Sequence, residues 1–170
     1  MIGIAIGVIG GITAINVAHE LIHRSSRFER EAGGVLLASV GYSAFRIEHV
    51  LGHHLNVATP RDTATAQRGE NVYGFFVKSF FGTLTNAWRI EKSRLRKREL
   101  PTYSIHNRYL QGCAVTVAIA TILTWLFGVQ AIGMMALVSF VAIFELEVIN
   151  YLEHYGNRLV RNTRGTRTRQ

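Results

Sequence analysis

Six of the seven histidines in this 170-residue chain fall into three compact groups, and imidazoles in groups are the raw material of metal chemistry. The first group is His19-Glu20-Leu21-Ile22-His23. Histidines at i and i+4 on an α-helix stand one above the other and can share an ion. The same letters satisfy HExxH, a pattern in which two histidines bind zinc and the glutamate acts as general base. The second group, Glu48-His49-Val50-Leu51-Gly52-His53-His54, repeats the i,i+4 pair. On a continuing α-helix His54 points about 100° away from His53, toward a second ion or another helix, while Gly52 keeps the shared face open. The third group, Asn150-Tyr151-Leu152-Glu153-His154-Tyr155-Gly156, contributes one more imidazole. His106 stands apart after Pro101 and is not assigned as a ligand.

A single zinc ion needs about four ligands. His19, His23, His49, His53, His54 and His154 exceed that demand, so two ions are the more economical reading. Imidazole suits iron, copper and zinc, and spacing does not choose among them. Glu20, Glu48, Glu147, Asn150 and Glu153 are candidates for the groups behind the ligands, accepting an imidazole N–H and fixing its tautomer. Cys113 is the one cysteine, which excludes a disulfide framework, a zinc ribbon or an iron–sulfur ligand set. It is expected to be a small packing residue.

These ligands need elements to carry them. With 48% hydrophobic residues, 18% charged residues and 2 prolines, the chain is neither disordered nor collagen-like, and its length suits one domain. Its charge is very unevenly placed. Met1 to Ala18 carries none, and Tyr109 to Phe144 gives 36 uncharged residues in a row. A bilayer core takes roughly 20 helical residues, so the expected class is an all-α, multi-pass membrane protein with histidine clusters at the cytoplasmic ends of its helices. Residues 1–18 are expected to be a transmembrane helix. They lack the basic leading region and cleavage site of a signal peptide, and Gly3, Gly7 and Gly11 form a smooth ridge for a neighbouring helix.

Residues 19–56 hold the first two histidine clusters. Within them Gly33 to Phe45 is apolar but only 13 residues long, which suggests a re-entrant or interfacial segment. Ala58 to Glu70 reads as a polar loop. Asn71 to Trp88, aromatic-rich with Lys78 as its sole charge, reads as an interfacial helix. Residues 109–149 form a transmembrane hairpin broken near Phe127-Gly128-Val129-Gln130, with Glu145 and Glu147 marking its edge, and 150–156 supply the third motif.

The net charge of +8 is also concentrated. Arg89 to Arg108 holds seven basic and two acidic residues, and Asn157 to Gln170 holds five arginines and no acid. Beside membrane spans, such clusters mark the cytoplasmic side. They flank apolar segments instead of forming a soluble basic face, which argues against nucleic acid as the partner. With the two short segments non-spanning, all six grouped histidines and both basic clusters fall on one side of the bilayer.

The spellings His19-Glu-Leu-Ile-His23-Arg24, Glu48-His-Val-Leu-Gly-His-His54 and Asn150-Tyr-Leu-Glu-His-Tyr-Gly156 resemble the membrane-bound alkane 1-monooxygenases and related xylene monooxygenases. Asn56-Val-Ala-Thr-Pro-Arg-Asp62 and Ala66-Gln-Arg-Gly-Glu70 fit the same family, so the resemblance runs from about Ala14 to Gly156. It implies a non-haem di-iron centre with His19, His23, His49, His53, His54 and His154 at ligand positions. It further implies O2 and an n-alkane as substrates, a 1-alkanol as product, and electrons from rubredoxin and its NAD(P)H-dependent reductase. The implied location is the bacterial inner membrane, with the site facing the cytoplasm. The family pattern has a further C-terminal histidine motif that is absent before Gln170, so a partial sequence is expected. A membrane desaturase or lipid hydroxylase, a zinc protease built on HELIH and a non-catalytic metal-binding fragment are the competing classes.

Overall fold

In the computed structural model of the chain, residues 2–59, 61–156, 159–161 and 167–169 are described, with side-chain surroundings for most of 5–156. The first helical rod is α1 (Ile2–Gly10), a π-helical turn over Gly11–Ile15, and α2 (Asn16–Ile22). It continues past the expected apolar limit and carries His19 on its last turns, with His23 as its C-cap. After a short turn come α3 (Arg27–Ser39) and α4 (Ala44–Glu48). A second π-helical turn over His49–His53 and α5 (His54–Asn56) complete the next segment. The long helices are α6 (Val72–Arg96), α7 (Arg108–Phe127) and α8 (Gln130–His154).

Two short strands, β1 (Leu159–Arg161) and β2 (Arg167–Arg169), pair antiparallel with Leu159 opposite Arg169. This is a small departure from an all-α reading, in a region where no strand was expected. The rest of the basic run, residues 157, 158, 162–166 and 170, lies outside the described residues.

The segment expected at Gly33 to Phe45 begins earlier and breaks in its middle. Ser26 is extended, so α3 starts at Arg27 and takes the charged stretch into its first turns. It stops because Gly41 adopts φ +69°, a conformation that glycine reaches without a Cβ penalty. The Tyr42 N–H then reaches back 2.8 Å to the Leu37 carbonyl. Asn71 caps α6 by accepting the Gly74 N–H at 2.8 Å, and Asn107 caps α7 in the same way from Leu110 at 3.1 Å. At the far end of α7, Gly128 at φ +81° donates to the Thr124 carbonyl and turns the chain into α8.

The core lies between the first rod, α3–α4 and α8, where Ile15, Ala18, Ile22, Leu37, Phe45 and Leu146 pack together. The rod approaches α8 closely at Gly7, where an added Cβ would sit 2.7 Å from Val141 Cβ. Gly3 and Gly11 of the same ridge lie outside the residues whose surroundings are described. Helices α7 and α8 are long and apolar enough to cross a membrane. None of the α7 residues is buried within the protein, and Cys113 is exposed on it, not packed in a core. Glu147 lies within α8, seven residues before its end. It is 1% exposed and accepts the Tyr42 hydroxyl at 2.7 Å, which provides the partner that a carboxyl in an apolar setting needs.

The basic region is stapled by Glu91, fully buried on α6. Its carboxylate accepts Arg94 Nε at 2.8 Å and the Arg108 backbone N–H at 2.7 Å, while Arg94 also donates to the His106 carbonyl. Burial alone would raise the Glu91 pKa, but these hydrogen bonds and the two arginine charges outweigh it, and the pKa is lowered.

Two outcomes follow from this packing. Gly7→Leu should lower the thermal midpoint of the detergent-solubilised chain, by overpacking worth about 1–3 kcal/mol, whereas Gly10→Ala should not, because its Cβ meets nothing within 4 Å. Glu91→Gln should cost roughly 1.5–3 kcal/mol at neutral pH. The carboxylate is stabilising above its unfolded pKa, and that contribution is lost as pH falls through the lowered folded value. The difference in midpoint between wild type and Glu91→Gln should therefore close in acid, below about pH 4.

Candidate metal centre

His49 is the hub of the site. It is 6% exposed and its ring stacks on Phe45 at 4.7 Å between centroids. His49 Nε2 lies 2.7 Å from His19 Nε2 and 3.1 Å from His54 Nε2. His23 completes the group, because His19, His23 and His49 each place a ligand nitrogen within 4.8 Å of the others. The His23 and His54 rings stack at 4.7 Å.

The arrival of His54 corrects the α-helical expectation. Residues His49–His53 form a π-helical turn, and its i→i+5 bonding, the His54 N–H to the His49 carbonyl, widens the turn so that the fifth residue on as well as the fourth lies over the first. His54 is that fifth residue, so it returns to His49 and does not point away. Gly52 has a different role from the expected one. A Cβ there would lie 2.8 Å from Glu48 Oε1 and 3.2 Å from Ile90 Cδ1, so its openness accommodates the Glu48 carboxyl against α6.

The His53 ring also stacks on that of His49, at 5.2 Å between centroids. His53 Nδ1 is 3.0 Å from both oxygens of Asp62, and the ring lies 4.7 Å from that of His154 at the end of α8. Asp62 is 6% exposed and also accepts the Thr65 hydroxyl and the Ala64 N–H. A carboxylate behind an imidazole orients the ring and, by accepting a hydrogen bond from Nδ1–H, fixes the tautomer that leaves Nε2 with a lone pair. Asp62 was not among the candidate site residues. Only its place in the polar loop nine residues after His53 could have suggested it, and proximity of that kind requires the loop's fold.

The electrostatics separate the two histidine neighbourhoods. Burial, then the surrounding imidazoles His19, His53, His54 and His23, push the His49 pKa down to about 2. His49 is therefore neutral. Burial also acts to lower His53, but the hydrogen bond and charge of Asp62 outweigh it and raise the pKa. Asp62 is lowered, its burial being outweighed by His53 and Thr65. Glu48 is raised to about 7 by burial and by the field of Asp62.

The other candidates lie at varied distances from this chemistry. Glu20 is exposed and pairs with Arg24 at 3.0 Å. Glu147 and Asn150 are buried and bonded to each other at 3.4 Å. Glu153 is exposed and acts on His19 through its charge. His106 is exposed beside the α6–α7 staple, away from the cluster.

The geometry fits a cation. Each neutral imidazole nitrogen offers one proton or one lone pair, so a single proton cannot satisfy both close approaches at His49 Nε2. A positive ion accepting several lone pairs can. His19, His23, His49 and His54 form one such neighbourhood, and His53 with His154 adjoins it.

Histidine clusters at the ends of apolar helices define a class, and comparison with protein-family models places the chain in it: residues 1–170 match Fatty acid desaturase, and the chain belongs to that family. Within it, the chain is homologous over most of its length to alkane 1-monooxygenases and a xylene monooxygenase. Alkane 1-monooxygenase 1 of Pseudomonas aeruginosa is 42% identical over 153 residues, covering 90% of this chain and 40% of that protein. Alkane 1-monooxygenase 2 of Alcanivorax borkumensis is 40% identical over the same shares. The xylene/toluene monooxygenase hydroxylase component XylM of Pseudomonas putida is 31% identical over 87% of this chain. The chain spans 40% of the length of these relatives. The homology and the two long apolar helices make this a membrane-associated protein.

Asp62→Asn should keep the helical content and lower metal retention about 10- to 100-fold, measured as metal per chain after dialysis against a chelator. Undiminished retention would remove Asp62 from the centre.

Proposed function

We propose that this chain carries part of a membrane-bound, O2-dependent monooxygenase that converts medium- or long-chain n-alkanes to 1-alkanols at a non-haem di-iron centre. The single observation that carries the reading is the approach of imidazole nitrogens from α2 and its C-cap, the π-helical turn and α5 around His49. The relatives named alkane 1-monooxygenase supply the substrate class. His19, His23, His49, His53, His54 and His154 are the proposed ligands. Two iron ions, when bound, would supply the redox chemistry that activates O2. Electrons would come from rubredoxin and its NAD(P)H-dependent reductase.

The chain's own residues do the positioning. Asp62 holds a proton at His53 Nδ1 and fixes that ring. Phe45 and the apolar core behind it keep water from the buried side of His49. Tyr42 and Glu147 tie the α3–α4 turn to α8, and His154 leaves α8 toward His53. An apolar substrate reaches such a site most directly from the lipid around α7 and α8. In this arrangement α1–α2, α7 and α8 cross the bacterial inner membrane, with α3–α4 and α6 at its surface and the histidines on the cytoplasmic side. Exposed Glu20, engaged with Arg24, does not favour the zinc-protease reading of HELIH. The family's description keeps a lipid desaturase as the second reading.

In the full-length protein, cells given octane should form 1-octanol, and His49→Ala should abolish both the product and the bound iron. An unsaturated lipid in place of the alcohol would select the desaturase. In a Cys113→Ser background, Arg24→Cys and Arg98→Cys should react with an impermeant maleimide from the cytoplasmic side and Val129→Cys from the opposite one. Reaction of residues 24 and 98 from opposite sides would overturn the membrane placement.

A further inference from the structure

The metal centre uses none of the arginines that dominate the charge pattern, and six of them meet at one place. A cavity of about 820 Å³ opens between α3, α4, the end of α6 and the start of α7. Arg27, Arg30, Arg46, Arg94, Arg98 and Arg108 line it, and Glu31 is the sole acid in its wall. Some of this charge is committed. Arg46 makes a two-pronged pair with Glu31 at 2.8 Å, Arg94 is held by Glu91, and Arg30 donates to the carbonyls of Arg24 and Ser25. Arg27, Arg98 and Arg108 form no ion pair among the described residues. Arg94, Arg46 and Arg98 repel the Arg108 guanidinium, while Glu91 attracts it. The fold brings six arginines together, and Glu31 and Glu91 are the acids that act on them.

The rest of the lining is mixed, with Ser43, His106 and Gln111 among apolar residues. Val35, Ile47, Val50, Leu51 and Val115 form a wall beside the arginines. Gly34 admits the Arg46 side chain, because a Cβ there would fall 2.6 Å from Arg46 Nη1. The cavity also sits where α7, exposed and apolar along its length, begins. Guanidinium groups match phosphoryl oxygens in charge and in forked geometry, and basic recesses between helices at a membrane surface suit anionic head groups.

We propose that this cavity binds the phosphoryl head group of an anionic phospholipid, with Arg27, Arg98 and Arg108 around the phosphate and an acyl chain along Val35 and Val115. The apolar wall favours a lipid over free phosphate, which would leave it wet. A concave recess suits a head group better than the flat face of an acidic protein. Val50 and Leu51 belong to the second histidine motif, so the lipid would brace the segment carrying His49 and His53. The inference rests on the membrane placement of α7 proposed above.

The chain in neutral detergent, titrated with phosphatidylglycerol or phosphatidylcholine and read by native mass spectrometry, tests this. One phosphatidylglycerol should be retained per chain, at least tenfold more tightly than phosphatidylcholine. Arg98→Gln/Arg108→Gln should lose that preference, whereas Arg68→Gln/Arg89→Gln, outside the cavity, should keep it. If the first pair fails to fold, Arg27→Gln at the exposed start of α3 gives the same reading. Equal losses in both pairs would reduce the effect to bulk charge and overturn the site. Full displacement of the lipid by millimolar inorganic phosphate would overturn the lipid assignment, as would retention only of an acidic protein. Flotation with pure phosphatidylcholine vesicles tests the membrane placement separately: flotation without lipid preference overturns this site alone, and failure to float overturns the placement on which it rests.

Discussion

The close approach of imidazole nitrogens at His49 is the constraint to which the surrounding structure answers. Lone pairs 2.7 and 3.1 Å apart repel unless a proton or a cation lies among them. Flexible side chains would simply separate. Here each ring is braced. His49 stacks on Phe45 over the core, His23 and His54 stack on one another, and His19 stands on the last turns of a rod whose opposite end packs against α8. Burial also keeps His49 neutral, which preserves the lone pair that a metal needs.

Around that centre the chain separates polar from apolar surface along its length. The bundle exposes apolar helices at one end and gathers histidines and arginines at the other. Two carboxylates that enter apolar regions have partners, Glu147 in Tyr42 and Glu91 in Arg94 and Arg108, whereas Glu145 Oε2 is buried without a hydrogen bond among the described residues. The arginine-lined cavity gathers more charge than its own wall balances, with six arginines and Glu31 as the one acid in its lining.

Local pattern made several features legible before any coordinates. The uncharged stretch with glycine at its middle marked two apolar helices and their turn, because Gly128 supplies a positive φ that few other residues adopt readily. The lack of charge marked the long apolar helices, since charge in a bilayer core is costly. Less legible was the segment from Gly33 to Phe45. Its hydropathy is continuous, but Gly41 closes α3 and the chain restarts as α4. Hydropathy also suggested that Cys113 packs inward, although no residue of α7 is buried within the chain and Cys113 is exposed on it.

By itself the sequence determined which residue types were available to bind a metal, roughly where helices would run, and how charge would divide between the two ends of the molecule. These follow from composition and short-range spacing, which govern hydrogen bonding along a helix and transfer into lipid. The tertiary structure decided how the imidazoles meet. A π-helical turn returned His54 to His49, a loop brought Asp62 behind His53, and α8 delivered His154 from more than a hundred residues away. Such pairings depend on packing between distant segments, and an α-helical periodicity of 3.6 carries no signal for an inserted π turn.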